Sequence, residues 1–224
     1  MRACGAGAAR VPSDSRWTYG RGMRRPRTED DLADMHHPGQ TPGESRAVAR
    51  QLEAWADAGT MPGDEVGAGD LLVAAGEQLL RVGDLSEAVR VLRRAVETGE
   101  HVTPDVRCYL HHALLASGDG DAARALAEEV RRERPADVDV YLLIGEDHEL
   151  HGDLREAHRW LTMGTRRALV DVEDADDASE GHAASRAAGL LVARRRVRRE
   201  LDMPPDEWDE LVPLPPHLDD DVLG

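Results

Sequence analysis

Two histidines close to several acidic residues are the part of this sequence whose residue types best match metal chemistry. His148 and His151 are three residues apart, and Glu146, Asp147 and His158 lie nearby. The helical zinc motif instead separates its histidines by four residues, which places both rings on one face of the helix. The spacing therefore favours an ordinary helix end and turn. A metal-dependent enzyme or a metal-binding protein that uses these residues is kept as the alternative.

Several classes of enzyme are excluded because the residues they need are missing. All 28 residues counted as lysine or arginine are arginine, so there is no lysine for a P-loop, a kinase-type phosphate site or a Schiff base. No Gly-x-Ser-x-Gly motif is present either. The two cysteines, Cys4 and Cys108, form no CxxC pair, which fits a reducing cytoplasm. We therefore expect a cytoplasmic protein that is not an enzyme and that needs no cofactor.

The charge of the chain is strongly acidic and unevenly distributed. The formal net charge is −16, which disfavours nucleic acid and anionic membranes as main partners. Residues 1–27 nevertheless carry seven arginines and one acid. A basic arm of this kind could contact nucleic acid or block the chain's own binding surface. The composition favours a disordered extension over residues 1–43. No apolar run approaches the ~20 residues of a membrane-spanning helix.

An internal repeat is the most informative pattern in the sequence. The segment Gly-Asp-Leu-Ser-Glu-Ala at residues 83–88 returns in related form at residues 118–123 and 152–157. The alanines that end these segments are 35 and then 34 residues apart. A period of about 34 residues is typical of helix–turn–helix repeats that stack on one another.

The repeat resembles the tetratricopeptide repeat (TPR) over residues 66–170. With the glycines at the inter-helix turns, small residues fall where two helices must approach closely and large ones where they fill the gap. His111 and Ala127 depart from this pattern in the second repeat. The positions concerned are Gly76, His111 and Gly145 in the first helices, and Ala88, Ala123, Ala157, Leu92, Ala127, Leu161, Ala95, Val130 and Gly164 in the second helices. The resemblance implies an all-α fold, a short right-handed superhelical stack of about three helix–turn–helix repeats.

Further segments are expected to flank the repeats. Residues 44–60 form a helix with apolar residues at helical spacing, and residues 171–184 form an acidic loop. Residues 185–202 form a C-terminal capping helix, and residues 203–224 form a proline-rich acidic tail. The arginine run at residues 194–199 favours a solvated face paired with this acidic protein, with phosphate or acidic partners as the alternative.

The C-terminal part also resembles, more loosely, the C-terminal stretch of actinobacterial TPR proteins labelled by the SEC-C motif. The resemblance covers the segment that runs from the arginine run at residues 194–199 through Pro205-Asp206-Glu207-Trp208. The zinc site of that motif needs clustered cysteines, and this chain has none. The resemblance therefore implies no zinc site here.

In TPR proteins the first helices of successive repeats line a concave groove that binds partner segments. The resemblance places this groove at Asp70, Val73, Glu77, Leu80, Asp105, Cys108, His112, Leu115, Asp139, Leu142, Glu146 and Glu149. This set is acidic and apolar, so it lacks the basic residues with which some TPR clamps hold acidic chaperone tails. Charge complementarity predicts a protein or peptide partner with basic and apolar side chains. The chain's own arginine-rich segments, residues 1–27 and 194–199, are candidate autoinhibitory ligands. The sequence thus predicts an adaptor that binds a partner in this groove.

Overall fold

The computed structural model describes residues 24–176 and 178–211. Within these ranges the chain is helical and contains no strand, which confirms the predicted all-α class. The helices are α1 (Glu29–Ala33), α2 (Pro42–Asp57), α3 (Ala68–Arg81), α4 (Leu85–Glu97), α5 (Val106–Ala116), α6 (Gly120–Glu133), α7 (Asp139–Leu150), α8 (Leu154–Glu173) and α9 (Glu180–Glu200), followed by a 3-10 turn (Asp209–Leu211). None of the helices in the described part of the chain is long and apolar enough to span a membrane.

The three repeated glycines form the same turn three times. Gly83, Gly118 and Gly152 follow α3, α5 and α7 with φ of +77°, +84° and +79°, in the left-handed region that glycine adopts without steric cost. In each turn, the N–H of the following aspartate donates to a carbonyl five residues earlier, which satisfies the end of the first helix. The same aspartate is the N-cap of the next helix. Each repeated segment therefore joins two helices, as its sequence predicts.

The helices pack as successive hairpins. α3 packs on α4, α5 on α6 and α7 on α8, while α2 packs on α3 and α9 on α8. α5 also contacts α3 and α7, so the first helices of the three hairpins lie side by side. The buried apolar residues form two clusters, one extending from α2 to the start of α6 and the other from Cys108 of α5 to α9.

Glycines allow the close approach of the two helices in the first and third hairpins. A Cβ atom added at Gly76 would lie 2.6 Å from Leu92 Cγ, and one at Gly145 would lie 2.7 Å from Leu161 Cγ. In the second hairpin the sizes are exchanged, since a large residue, His111, occupies the glycine position and a small one, Ala127, the leucine position. Both are buried, at 0% and 4% exposure. The His111 ring lies against His148 of α7, with centroids 5.1 Å apart, so the departure noted in the sequence places a buried histidine between the second and third hairpins.

Replacing Gly145 by alanine should lower the free energy of unfolding by about 1–2 kcal/mol, because the added methyl group displaces the Leu161 side chain. The matched control is Gly181→Ala in α9, where an added Cβ meets nothing within 4 Å. The control should be neutral or gain up to about 1 kcal/mol from the better helix propensity of alanine. Urea denaturation followed by circular dichroism measures both. Equal stability of the two variants would contradict the close approach.

The segment before α2 packs against the body of the protein, unlike the disordered extension expected over residues 1–43. Leu32 and Met35 pack against the first apolar cluster. Arg25 Nη1 donates to the carbonyl of Trp55 at 3.2 Å, and Arg25 pairs with Asp64 at 3.4 Å. This part of the expected extension is thus ordered by contacts with residues 30 to 40 positions away. The other expected residues, 1–23, lie outside the described part of the chain.

The C-terminal boundaries also differ from the expected ones. The acidic loop expected over residues 171–184 is short, because α8 continues to Glu173 and α9 begins at Glu180. The chain after α9 folds back on it, so that the 3-10 turn contacts α9. The remainder of the expected tail, residues 212–224, is outside the described ranges.

Candidate functional site

The twelve predicted groove residues lie on α3, α5 and α7 or at the N-cap of α5, but they differ in accessibility. Val73 and Cys108 are only 6% and 2% exposed, so they contribute mainly to the core. Burial raises the pKa of the Cys108 thiol well above its ordinary value, which keeps it protonated and unreactive. Asp105 caps α5 and holds Arg107, with Arg107 Nη2 at 2.6 Å from its Oδ2. Leu115 packs against the first apolar cluster.

The predicted acidic positions of the third repeat are covered by α9. Arg196 Nε and Nη2 donate to the two carboxylate oxygens of Glu149 at 2.5 and 2.6 Å, and Arg196 Nη2 lies 3.5 Å from Glu146. Arg186 Nε donates to Asp139 Oδ1 at 3.1 Å. A guanidinium that holds a carboxylate with two hydrogen bonds makes a specific pair. The α7 part of the predicted groove is therefore already occupied by arginines of the same chain.

The unoccupied part of the first-helix face contains a pocket of about 320 Å³. We call it the α3–α5–α7 pocket. Four predicted groove residues line it together with four residues that the groove prediction missed. The lining consists of Glu77, Leu80, Cys108 and His112 from the predicted set, and of Arg81, Tyr109, Leu143 and Asp147. The missed residues stand one position from predicted ones or one turn away from them, so only the packing of the three helices identifies them.

Two acidic side chains line the pocket, and Glu77 is the more exposed of them, at 42% against 11% for Asp147. Burial of the Glu77 carboxyl raises its pKa, and the Coulombic effect of Arg81 opposes that shift. Arg81 Nη1 donates to Gln78 Oε1 at 3.2 Å, and His36 Nε2 lies 3.8 Å from Glu77 Oε2. Among the described residues, no arginine is within ion-pair distance of Glu77. The pocket thus combines a partly desolvated carboxylate with apolar side chains.

In the wall of the pocket, one carboxylate holds two histidines. Asp147 on α7 accepts from His111 Nδ1 at 2.8 Å and from His112 Nδ1 at 2.6 Å, both on α5. Burial alone would raise the pKa of Asp147, but the hydrogen bonds from the two rings hold it below its ordinary value. The hydrogen bond to Asp147 raises the pKa of His112, while burial opposes that rise. This polar cluster joins the second and third hairpins.

The structure does not bring together the candidate metal ligands that the sequence suggested. His148 is 3% exposed, and its ring lies against that of His111 with centroids 5.1 Å apart. His151 is exposed, and its Nδ1 lies 2.9 Å from the backbone oxygen of Asp147. Across residues 24–176 and 178–211, no group of three histidine, cysteine or carboxylate side chains is arranged to hold a metal ion. His148 and His151 therefore do not converge on a common site.

The arginine run of α9 is partly buried, in contrast to the solvated face that its sequence favours. Arg194 and Arg198 are 3% and 6% exposed, and they share Asp209, which is 4% exposed. Arg194 Nη1 donates to Asp209 Oδ1 at 3.2 Å, and Arg198 Nε donates to Asp209 Oδ2 at 2.8 Å. Arg194 also stacks on Trp208, with its Cζ 4.9 Å from the ring centroid. These two arginines hold the C-terminal segment and are not available to a phosphate ligand.

Neither the family models nor the curated proteins nor the solved structures show a match to this chain. The TPR resemblance therefore stands on the repeat spacing and small-residue positions of the sequence itself.

Proposed function

We propose that this protein is a non-enzymatic interaction module of the TPR type, which holds a basic and apolar segment of a partner protein. The observation that carries the proposal is the α3–α5–α7 pocket, where Glu77, which forms no ion pair with an arginine of the described residues, lies near partly exposed apolar side chains. In a right-handed TPR stack this face is the concave one. Surfaces of stacked helical repeats commonly serve as extended binding sites for protein segments.

The chemistry of the pocket supports a partner segment that carries an arginine or lysine next to apolar residues. Such a cation would pair with Glu77 in a partly desolvated position, where a charge pair is stronger than in water. Leu80, Tyr109 and Leu143 offer apolar area beside it. The ring of Tyr109 also suits a cation placed over its face. An amphipathic helix or an extended peptide presents both groups together.

The contact between α9 and α7 is an intramolecular example of this recognition. Arg196 binds Glu149, and Arg186 binds Asp139, so an arginine-bearing helix already lies on the acidic part of the first-helix face. α9 is also held by buried apolar residues, including Leu190 and Val197 at 1% and 0% exposure. We therefore assign α9 to the cap of the stack rather than to a displaceable inhibitor, and the partner to the pocket beyond it.

The proposal is tested with labelled amphipathic peptides in which arginines or, as a counterpart, glutamates accompany the same leucines. The arginine peptide should bind the full chain, and Glu77→Arg should weaken binding by about tenfold or more, which corresponds to about 1.4 kcal/mol. Fluorescence anisotropy measures the dissociation constants. The Glu149 and Glu146 positions are left unchanged, because their substitution would also disturb α9.

The matched control is Glu97→Arg, an equal change of charge at an exposed position near the end of α4. Because the whole chain is acidic, a basic peptide is attracted to it from any side, and this control measures that attraction. Binding that falls equally in both variants would mean non-specific attraction. If Glu77→Arg leaves the dissociation constant of the arginine peptide unchanged, the pocket is not the binding site.

A further inference from the structure

A second cleft lies between the end of α6 and the outer side of α8. Its volume is about 660 Å³, and it shares no lining residue with the α3–α5–α7 pocket. Its walls come from the second helices of the second and third hairpins, and Tyr141 of α7 forms part of its base. We call it the α6–α8 cleft. Nothing in the proposed function uses it.

The α6–α8 cleft is strongly basic, although the chain as a whole carries −16. Five arginines line it, against a single acidic residue, Glu128. They are Arg131, Arg132, Arg134, Arg166 and Arg167. A concentration of one charge sign in a concave surface focuses the local potential and attracts ligands of the opposite sign.

Two of these arginines are left without a carboxylate partner in the described part of the chain. Arg131 and Arg132 share Glu128, at 2.5 and 3.3 Å, and Arg167 pairs with Asp171 at 3.4 Å. No ion pair within residues 24–176 and 178–211 involves Arg134 or Arg166. Guanidinium groups bind carboxylates with two parallel hydrogen bonds, so this pair of arginines suits a ligand that brings its own carboxylates.

The cleft also offers apolar surface. Met163 is half-buried in its wall, and Val170, at 47% exposure, is among the most exposed large apolar residues of the described chain. Tyr141 also lines the cleft, but it is 7% exposed and its ring packs on Trp160 with centroids 5.8 Å apart, so Met163 and Val170 supply most of the accessible apolar surface. A ligand that carries only charge would leave this apolar surface in contact with water, so the occupant has apolar groups as well.

We propose that the α6–α8 cleft binds an acidic, apolar segment of a partner protein, in which aspartates or glutamates stand next to aliphatic or aromatic residues. The carboxylates pair with Arg134 and Arg166, and the apolar side chains cover Met163 and Val170. A protein segment is favoured over nucleic acid because the rest of the chain repels a long polyanion. With the basic segment proposed for the other pocket, this module would hold two segments of opposite charge on different faces.

The backbone conformation of Arg134 allows its charge to be removed without a loss of stability. Arg134 ends α6 with φ of +54°, a left-handed conformation in which glycine is preferred. Arg134→Gly therefore removes the charge and should leave the protein as stable as before or more so. Combined with Arg166→Gln, it removes both unpaired guanidinium groups without disturbing an ion pair. A loss of binding in this double variant is then not explained by misfolding.

The probe is a short labelled peptide with three consecutive aspartates flanked by leucine and valine, compared with its asparagine counterpart. The full chain should bind the aspartate peptide, and both the asparagine peptide and the Arg134→Gly/Arg166→Gln variant should bind about tenfold more weakly or less. The matched control is Arg93→Gln/Arg199→Gln, which removes two exposed arginines elsewhere. Equal binding by the two double variants, equal binding of the two peptides, or no binding by the parent would overturn the proposal.

Two further experiments distinguish an external protein segment from other occupants of the cleft. Residues 212–224 include three consecutive aspartates at 219–221, followed by valine and leucine. If their deletion strengthens peptide binding, the chain's own C-terminal segment is the occupant and the external partner is overturned. Unchanged binding supports an external partner. A single-stranded oligonucleotide that binds more tightly than the peptide, and that is lost in the same double variant, would overturn the assignment to a protein segment.

Discussion

Replacement of Asp209 by alanine should lower the free energy of unfolding by about 3–5 kcal/mol, because it leaves two buried guanidinium groups without their shared carboxylate. Arg194, Arg198 and Asp209 are 3%, 6% and 4% exposed. Asp206 lies 2.5 Å from Arg194 Nη2 and 3.2 Å from Arg198 Nη1, but its side chain is partly exposed, so we expect it to compensate only in part for the buried carboxylate. Urea denaturation followed by circular dichroism measures the loss.

The matched control for this change is Glu207→Ala, which removes an exposed carboxylate from the same segment. Surface changes of this kind are usually within about 0.5 kcal/mol of the parent. If Asp209→Ala is no less stable than Glu207→Ala, the buried ion cluster does not hold the C-terminal segment.

A second experiment separates a lost attraction from an orphaned charge. Arg194→Met, Arg198→Met and Asp209→Leu together remove the three buried charges. The carboxylate of Asp206 loses its arginine partners, but it is partly exposed and can be solvated. Such apolar replacements of buried ion clusters are often neutral or stabilising by about 1–4 kcal/mol. The triple variant should therefore recover most of the stability that Asp209→Ala loses. A triple variant as unstable as the single one would show that the charges themselves are required.

Acidification from pH 7 to pH 4.5 should cost the protein roughly 2–3 kcal/mol through His148 alone. Burial, with a smaller contribution from His111, lowers the pKa of His148 to about 4. In the unfolded chain the pKa of histidine is about 6.5, so the unfolded state takes up a proton that the folded state excludes. Stability is therefore complete above this unfolded value and is lost as the pH falls towards 4. Asp147 and Asp153 act in the opposite direction on the pKa of His148, and His151 acts in the same direction as burial.

His112 responds to pH with the opposite sign. Its pKa is raised in the folded protein by the hydrogen bond to Asp147, so its contribution is present at low pH. That contribution is lost as the pH rises through the folded value above 6.5. His148 lowers stability as the pH falls below about 6.5, and His112 lowers it as the pH rises above that value. The contact between α5 and α7 is therefore most stable near pH 6.5.

A comparison of variants separates the effect of His148 on stability from that of carboxylates, which also take up protons as the pH falls to 4.5. His148→Leu removes the titrating ring without introducing a polar group, and the fall in stability between pH 7 and 4.5 should be roughly 2–3 kcal/mol smaller than in the parent. His182→Gln, an exposed change in α9, should leave the fall as it is. A fall in His148→Leu as large as in the parent would contradict the burial of a neutral ring.

The sequence alone determined the helical hairpins, because the signals that form them are local. A glycine with positive φ and the aspartate after it complete one helix and start the next within a few residues, three times at nearly equal spacing. The helical periodicity of apolar residues places the first helices at α3, α5 and α7. These interactions join residues that are neighbours in the chain, so their pattern can be read without knowledge of the packing.

Only the tertiary structure decided which charged residues are accessible. Glu77 and Glu149 are both acids at predicted groove positions, yet Glu149 holds Arg196 from 47 residues later and Glu77 holds no arginine in the described chain. In the same way, Arg194 is buried on Asp209, whereas Arg166 faces the α6–α8 cleft with no partner among the described residues. The residue types are the same in each pair. The difference arises from which helices come together, and that depends on the summed packing of distant apolar residues rather than on any local pattern.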